Sequence, residues 1–329
     1  MKQRVLITGA SGFVGYHLVA EALKNNLEVF AAVRKTSKID HLSEFDIQYT
    51  YPDFSSIDAL RAELEEKQYD YIIHAAGITA AKTEEEYNRV NTDYTYNLAI
   101  ASTLANINLK KFVFLSSLAA LGPLPTTSGI IEDNTPAAPV TAYGKSKLLA
   151  EQELSPLTSL PLITLRPTAV YGPRDEGIFI ILKTFSMGFE PYIGKQAQQL
   201  SFIYVKDLAL ITVKALFSHL SHKTYNVSDG KAYDRYALAN LTKKILNKKT
   251  IKIHLPVAVI KTLAGFMERI YANSSKTPAL NIEKLNELTA ANWICNISNI
   301  QRDLNYLPEY DLESGLTESL QWYKLNHLL

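Results

Sequence analysis

The stretch Thr8-Gly9-Ala10-Ser11-Gly12-Phe13-Val14-Gly15 decides the fold. Before it lies Val5-Leu6-Ile7, a short apolar run suited to a buried parallel strand. After it, Phe13, Val14, Leu18, Val19, Ala22 and Leu23 recur at helical spacing over 13–24. Strand, glycine turn and helix in that order are the setting of a dinucleotide fingerprint. Gly9 permits the tight turn, Gly12 lets backbone N–H groups approach a pyrophosphate, and Gly15 lets helix and strand pack closely. The phosphate would meet the positive end of the helix dipole, with Ser11, Phe13 and Val14 in the surrounding loop. The spacing G-x-x-G-x-x-G differs from G-x-G-x-x-G and points to another family of the same fold.

Outward from that loop, strand and helix patterns alternate. Strands are expected at Glu28 to Val33, Tyr71 to Gly77, Lys111 to Ser116, Leu162 to Leu165 and Thr224 to Val227. Helices are expected over Ile57 to Lys67, 84–106, Tyr143 to Leu154 and Val205 to Phe217. Such alternation implies parallel βαβ units, hence an α/β, Rossmann-type doubly wound sheet. After Pro167 the pattern changes: 172–199 is rich in Gly and Pro with few periods, and 230–329 is mostly helical with turns near Pro256, Pro278 and Pro308. We therefore expect a dinucleotide-binding domain over 1–170, rejoined by about 200–228. A smaller substrate-binding region would be formed by 171–199 and 229–329.

With 329 residues, 47 % hydrophobic and 20 % charged, the composition is that of a folded globular chain. A formal net charge of +1 and the lack of like-charge blocks argue against a nucleic-acid partner. Cys295 is the only cysteine, which excludes an internal disulfide and suggests a reducing compartment. The apolar run at the N-terminus breaks at Gly9, too short for a signal-peptide core, and no run approaches the roughly 20 residues that span a bilayer. A cytoplasmic protein without a membrane span is expected. The seven histidines show no metal-ligand spacing, so no metal is expected.

The edge of the second strand reads Ala31-Ala32-Val33-Arg34-Lys35, with no acid where an NAD site usually places one about 20 residues after the loop. Arg34 offers a planar fork suited to a 2′-phosphate, and Lys35 adds charge beside it. NADP is thus expected ahead of NAD. Asp53 and Phe54 are placed to hold the adenine, and Ala75-Ala76-Gly77 leave room for the cofactor to cross the sheet edge.

Tyr143 and Lys147 stand four residues apart and share a helix face. An ammonium beside a phenol favours phenolate, pulling its pKa down from about 10. Tyr143 then serves as acid or base on an alcohol or carbonyl, with Ser117 hydrogen-bonded to the same oxygen. Of the 19 tyrosines, only Tyr143 has lysine four residues on.

On these motifs the chain resembles an extended short-chain dehydrogenase/reductase, the NAD-dependent epimerase/dehydratase family. Four motifs match: the glycine loop, Ser116 to Gly122, Tyr143-Gly144-Lys145-Ser146-Lys147, and Arg166-Pro167-Thr168-Ala169-Val170-Tyr171-Gly172-Pro173-Arg174. The resemblance implies Ser117, Tyr143 and Lys147 as catalytic residues, with Lys147 also holding the nicotinamide ribose. It implies a structural or relay role for Asn91, cofactor contacts for Pro167 and Val170, and a homodimer through helices such as 84–106 and 143–154. Ser117-Leu118-Ala119 stands where sugar dehydratases of the family carry Thr-Asp-Glu, which argues against dehydration. Leu200 stands where nucleotide-sugar epimerases often place an arginine for the diphosphate. Leu121 replaces a common tyrosine, and Tyr94 a common glycine. The motif style is closer to the dihydroflavonol-reductase and hydroxysteroid-dehydrogenase branch.

The expected activity is NAD(P)-dependent hydride transfer to or from a secondary alcohol or ketone of a small molecule. A nucleotide-sugar epimerase with tightly bound NAD is the alternative, and a non-catalytic dinucleotide sensor a second one. His74 reads as a packed structural residue, Glu132-Asp133 as a solvated turn, and Glu84-Glu85-Glu86 as an acidic first helical turn. Arg174 reads equally as a contact to a substrate anion and as the partner of an acid. Leu255 to Tyr271 carries apolar residues at helical spacing and reads first as a helix packed on the substrate region. An apolar lid and a membrane-surface helix are its other readings.

Overall fold

A computed structural model describes residues 2–271 and 281–329. Seven parallel strands make the central sheet: β1 (Arg4–Thr8), β2 (Glu28–Ala32), β3 (Gln48–Thr50), β4 (Tyr71–His74), β5 (Lys111–Leu115), β6 (Leu162–Pro167) and β7 (Lys223–Val227). Across the sheet they run β7-β6-β5-β4-β1-β2-β3. The order reverses between β1 and β4, where Ile7 lies opposite Ile73. In an open parallel sheet the crevice beyond that reversal is where ligands bind.

Period-two alternation divides the strands between two cores. Val5, Ile7, Val113 and Ile163 face one side with Leu18 and Val19 of α1 (Phe13–Lys24) and Leu208 of the helix Val205–Leu216. Leu6, Ile72, Phe112 and Phe114 face the other, with Leu64 of α2 (Ile57–Lys67), Leu98 of α3 (Tyr94–Leu104) and Leu154 of α4 (Ala142–Leu154). Side-chain caps start several helices: the Thr83 hydroxyl accepts the Glu86 N–H and the Thr141 hydroxyl the Gly144 N–H. A third cluster gathers Leu182, Phe185, Tyr192 and Tyr204 with Leu312, Leu316 and Leu320 near the C-terminus.

Four expectations are corrected. Segment 172–199 holds the helix Gly177–Ser186 and the strand Phe189–Ile193, which pairs in parallel with Ile251–Leu255. Pro191 in mid-strand hid that pair, and is tolerated because only one neighbouring strand exists. The helix expected over 84–106 is interrupted by a π-helical turn at Asn88–Asp93 between Glu84–Tyr87 and α3. The turn at Glu132-Asp133 forms with Glu132 exposed, but the Asp133 carboxylate is not left to solvent: it accepts the Asn226 N–H at 2.6 Å and the Asn299 amide at 2.9 Å. Burial raises its pKa. Finally, the helix Val257–Tyr271 buries Ile260 and Ala264 but leaves Val259, Leu263, Phe266 and Ile270 exposed. The turn expected near Pro278 lies outside the described residues.

Candidate dinucleotide and acid–base site

The glycine loop is shaped by close approach. Gly9 has φ +69°, and a Cβ there would stand 2.8 Å from the Ala75 carbonyl oxygen. A Cβ on Gly15 would lie 2.1 Å from the Gly9 carbonyl oxygen. Gly12 begins α1 with no side-chain cap, its own N–H bonded to Gly9 at 3.0 Å. The turn holding Ser11, Phe13 and Val14 thus offers a helix N-terminus and a Cβ-free cradle, which suits a pyrophosphate.

Across the crevice, Thr8 Oγ1 accepts the N–H groups of Ala75 and Ala76 at 3.1 and 3.0 Å. Its proton goes to His74 Nδ1 at 2.9 Å, because His74 Nε2–H donates to Thr95 Oγ1, whose own proton is committed to the Asn91 carbonyl. Burial lowers the His74 pKa to about 3. The ring is a neutral spacer fixing the backbone of Ala75 and Ala76, not a base.

Next along that edge, a Cβ on Gly77 would meet Asn91 Oδ1 at 3.0 Å and Lys147 Nζ at 3.3 Å. Asn91 sits in the π-helical turn; its side chain accepts the Ile78 N–H and donates to the Ile78 carbonyl and Ser146 Oγ. The turn aims inward the amide of Asn91, for which the family resemblance implied a structural or relay role; the π-helical geometry itself left no sign in the sequence. Lys147 Nζ donates to the Leu115 carbonyl at 2.9 Å and lies 4.9 Å from the Phe114 ring centroid. Burial lowers its pKa to about 8.

Tyr143 differs from expectation. Burial pushes its phenol up to about 12; a hydrogen bond with Ser117 opposes the shift, while the charge of Glu287 and the neighbouring Tyr87 reinforce it. The Tyr87 ring centroid is 6.3 Å away. The lowering expected from Lys147 is not found: desolvation dominates, and the charges that act on the phenol raise its pKa further. Ser117 caps a short 3-10 turn, accepting the Ala119 N–H at 3.2 Å. Behind it, Ser116 donates to Glu151, which also takes Arg166 Nε at 3.0 Å. Arg166 in turn donates to the Asp133 carbonyl. Glu283, far along the chain, accepts the Ala142 N–H at 2.9 Å.

The remaining residues are dispersed along the crevice. Arg34 and Lys35 are exposed beyond β2. The Asp53 carboxylate is exposed and accepts the N–H and hydroxyl of Ser55; the Phe54 ring stacks on Tyr94 at 6.2 Å. Pro167 ends β6, and Val170 lies in the strand Ala169–Tyr171. Arg174 lies 4.0 Å over the Tyr16 ring and 3.8 Å from Glu44. It lines a separate cavity with His17, Lys206 and Trp322, and none of the expected cofactor or catalytic residues lines that cavity. Among the described residues no cluster could hold a metal ion, and no helix is long and apolar enough to cross a membrane.

A doubly wound parallel sheet with a glycine cradle at its switch point defines a dinucleotide-binding α/β protein. The model of the NAD dependent epimerase/dehydratase family matches residues 5–228, and the chain belongs to this family of enzymes. It is 26 % identical to a sterol-4-alpha-carboxylate 3-dehydrogenase, decarboxylating, of Candida albicans over 97 % of each chain. It is 25 % identical to UDP-glucose 4-epimerase of Vibrio cholerae over 98 % of this chain and 95 % of that one. The structure of UDP-glucuronic acid 4-epimerase from Bacillus cereus in complex with NAD superposes with a TM-score of 0.78 at 22 % identity, covering 99 % and 100 %.

Proposed function

We propose that the chain is an NAD(P)-dependent oxidoreductase acting on a secondary alcohol or ketone of a moderately apolar small molecule. The observation that carries the reading is the half-buried Tyr143 phenol, set beside Ser117 and one helical turn from the buried ammonium of Lys147. The dinucleotide, when bound, donates or accepts the hydride. In reduction the neutral Tyr143 gives its proton to the carbonyl oxygen, and Ser117 orients that oxygen. Lys147 holds the nicotinamide ribose, and Gly9, Ser11, Gly12, Phe13, Val14 and Gly15 hold the pyrophosphate. Ala75, Ala76, Gly77, Pro167 and Val170 line the passage between them, with Asp53 and Phe54 at the adenine. Exposed Arg34 and Lys35 favour NADP, although the Bacillus cereus structure holds NAD.

An epimerase that keeps NAD bound is supported by the Vibrio cholerae relative. Two features favour the reductase. Leu200 offers no charge to a diphosphate, and Arg235 is committed to the carbonyls of Gln196 and Ile193. We further propose a cytoplasmic homodimer formed through α3 and α4. Purified protein distinguishes the readings: a reductase consumes added coenzyme with a change in nicotinamide absorbance. An epimerase arrives with coenzyme bound and shows no net change, which would refute the proposal. KM values for NAD and NADP decide the coenzyme, and a preference for NAD would refute the role of Arg34.

A further inference from the structure

The helix Val257–Tyr271 carries an apolar arc wider than the described residues cover. Its inner edge, Ile260 and Ala264, is 7 % and 0 % exposed. The outer edge, Val259, Leu263, Phe266 and Ile270, recurs at spacings of four, three and four residues, so it lies on one stripe. All four are between 47 % and 59 % exposed. Phe189 and Ile251, opposite each other in the neighbouring strand pair, are 50 % and 66 % exposed. Soluble monomers rarely leave so much apolar surface in one region unless it is used.

Cations border this face. Arg269 flanks the stripe on the helix, and Lys248 and Lys249 immediately precede the strand Ile251–Leu255, all exposed. The acids of these elements point inward: Glu190 is buried and paired with Lys243, and Glu268 accepts the Ile282 N–H. An apolar stripe edged by Arg269, Lys248 and Lys249 complements an anionic bilayer surface. A second copy complements it less well, since a two-fold contact would set each basic border against itself.

We propose that this face docks on an anionic lipid bilayer, with the helix lying in the interfacial plane. Its place in the fold gives the docking a use. Glu268 ties the helix to Ile282, the first residue of the helix Ile282–Thr289, whose Glu283 reaches Ala142 at the head of the helix bearing Tyr143. A lipid-phase substrate leaving the bilayer there is delivered beside the acid–base pair. The inference extends the proposed apolar substrate class, but docking is measured without substrate, so the two stand or fall separately.

Sedimentation with phosphatidylcholine vesicles containing phosphatidylglycerol, set against pure phosphatidylcholine vesicles, tests the docking. The wild-type protein should pellet with the anionic vesicles and be released by salt. Leu263→Ser with Phe266→Ser should abolish pelleting, and Lys249→Glu with Arg269→Glu should cut the partition about tenfold or more. Both variants should keep the wild-type melting temperature and coenzyme affinity, which separates lost docking from misfolding. Wild-type protein that stays in the supernatant, or a serine variant that pellets equally, overturns the proposal. So does a wild-type dimer that the serine variant converts to monomer without any vesicle binding.

Discussion

The Lys147 ammonium donates to the Leu115 carbonyl at 2.9 Å, pinning α4 to the end of β5 where the chain enters Ser116-Ser117. The same burial that makes this bond strong lowers the lysine's pKa to about 8. The ammonium is therefore present below that pH and is lost as pH rises through it. We expect kcat/KM to fall on the alkaline side with an apparent pKa near 8. In Lys147→Met that limb should vanish, with turnover reduced about a hundredfold or more; pH–rate profiles of both proteins check this.

Tyr143→Phe removes only the hydroxyl. Turnover should fall by about 10²–10⁴ while coenzyme affinity holds. Ser117→Ala should cost about 10²-fold, from the lost orientation of the substrate oxygen. Stopped-flow hydride transfer beside coenzyme titration separates the two effects. A Tyr143→Phe protein with full turnover would remove the phenol from the chemistry.

His74 gives a stability prediction with a definite sign. Burial holds its native pKa near 3, against 6.5 for a free imidazole, so the native ring stays neutral where an unfolded one takes up a proton. Stability is fully present above pH 6.5 and declines as pH falls from there toward 3. His17, lowered to about 4 by burial, adds in the same direction. Urea unfolding across that window should show the decline, and His74→Leu should flatten it. That variant should also cost about 1–3 kcal/mol at neutral pH, because Thr8 and Thr95 lose a partner.

Gly15→Ala places a methyl group 2.1 Å from the Gly9 carbonyl oxygen, with backbone on both sides of the contact. Neither side is a flexible side chain that can turn away. The loop must shift, and coenzyme affinity should fall sharply in calorimetric titration, more than in Gly265→Ala, where nothing lies within 4 Å.

The parts legible from sequence were those governed by local periodicity. The helix expected over Ile57 to Lys67 forms over those same residues, and the strand pattern at Tyr71 forms as β4. The glycine loop was equally legible, since a Cβ is excluded there by its near neighbours. What escaped depends on contacts remote in the chain. Asp133 meets Asn226 and Asn299, and Glu283 meets Ala142, across separations that leave no local signal. The phenol of Tyr143 was misjudged because helical spacing gives the distance to a charge but says nothing of how much water remains. In the helix Val257–Tyr271 periodicity identified the stripe, yet could not tell that half of it would face outward.

The bond from Glu283 to the Ala142 N–H joins residues 141 positions apart. During synthesis the helix that bears Tyr143 emerges long before the carboxylate that secures its first turn. A nascent chain on the ribosome therefore exposes the glycine loop and the helix of Tyr143 well before the carboxylate that takes that helix's first N–H.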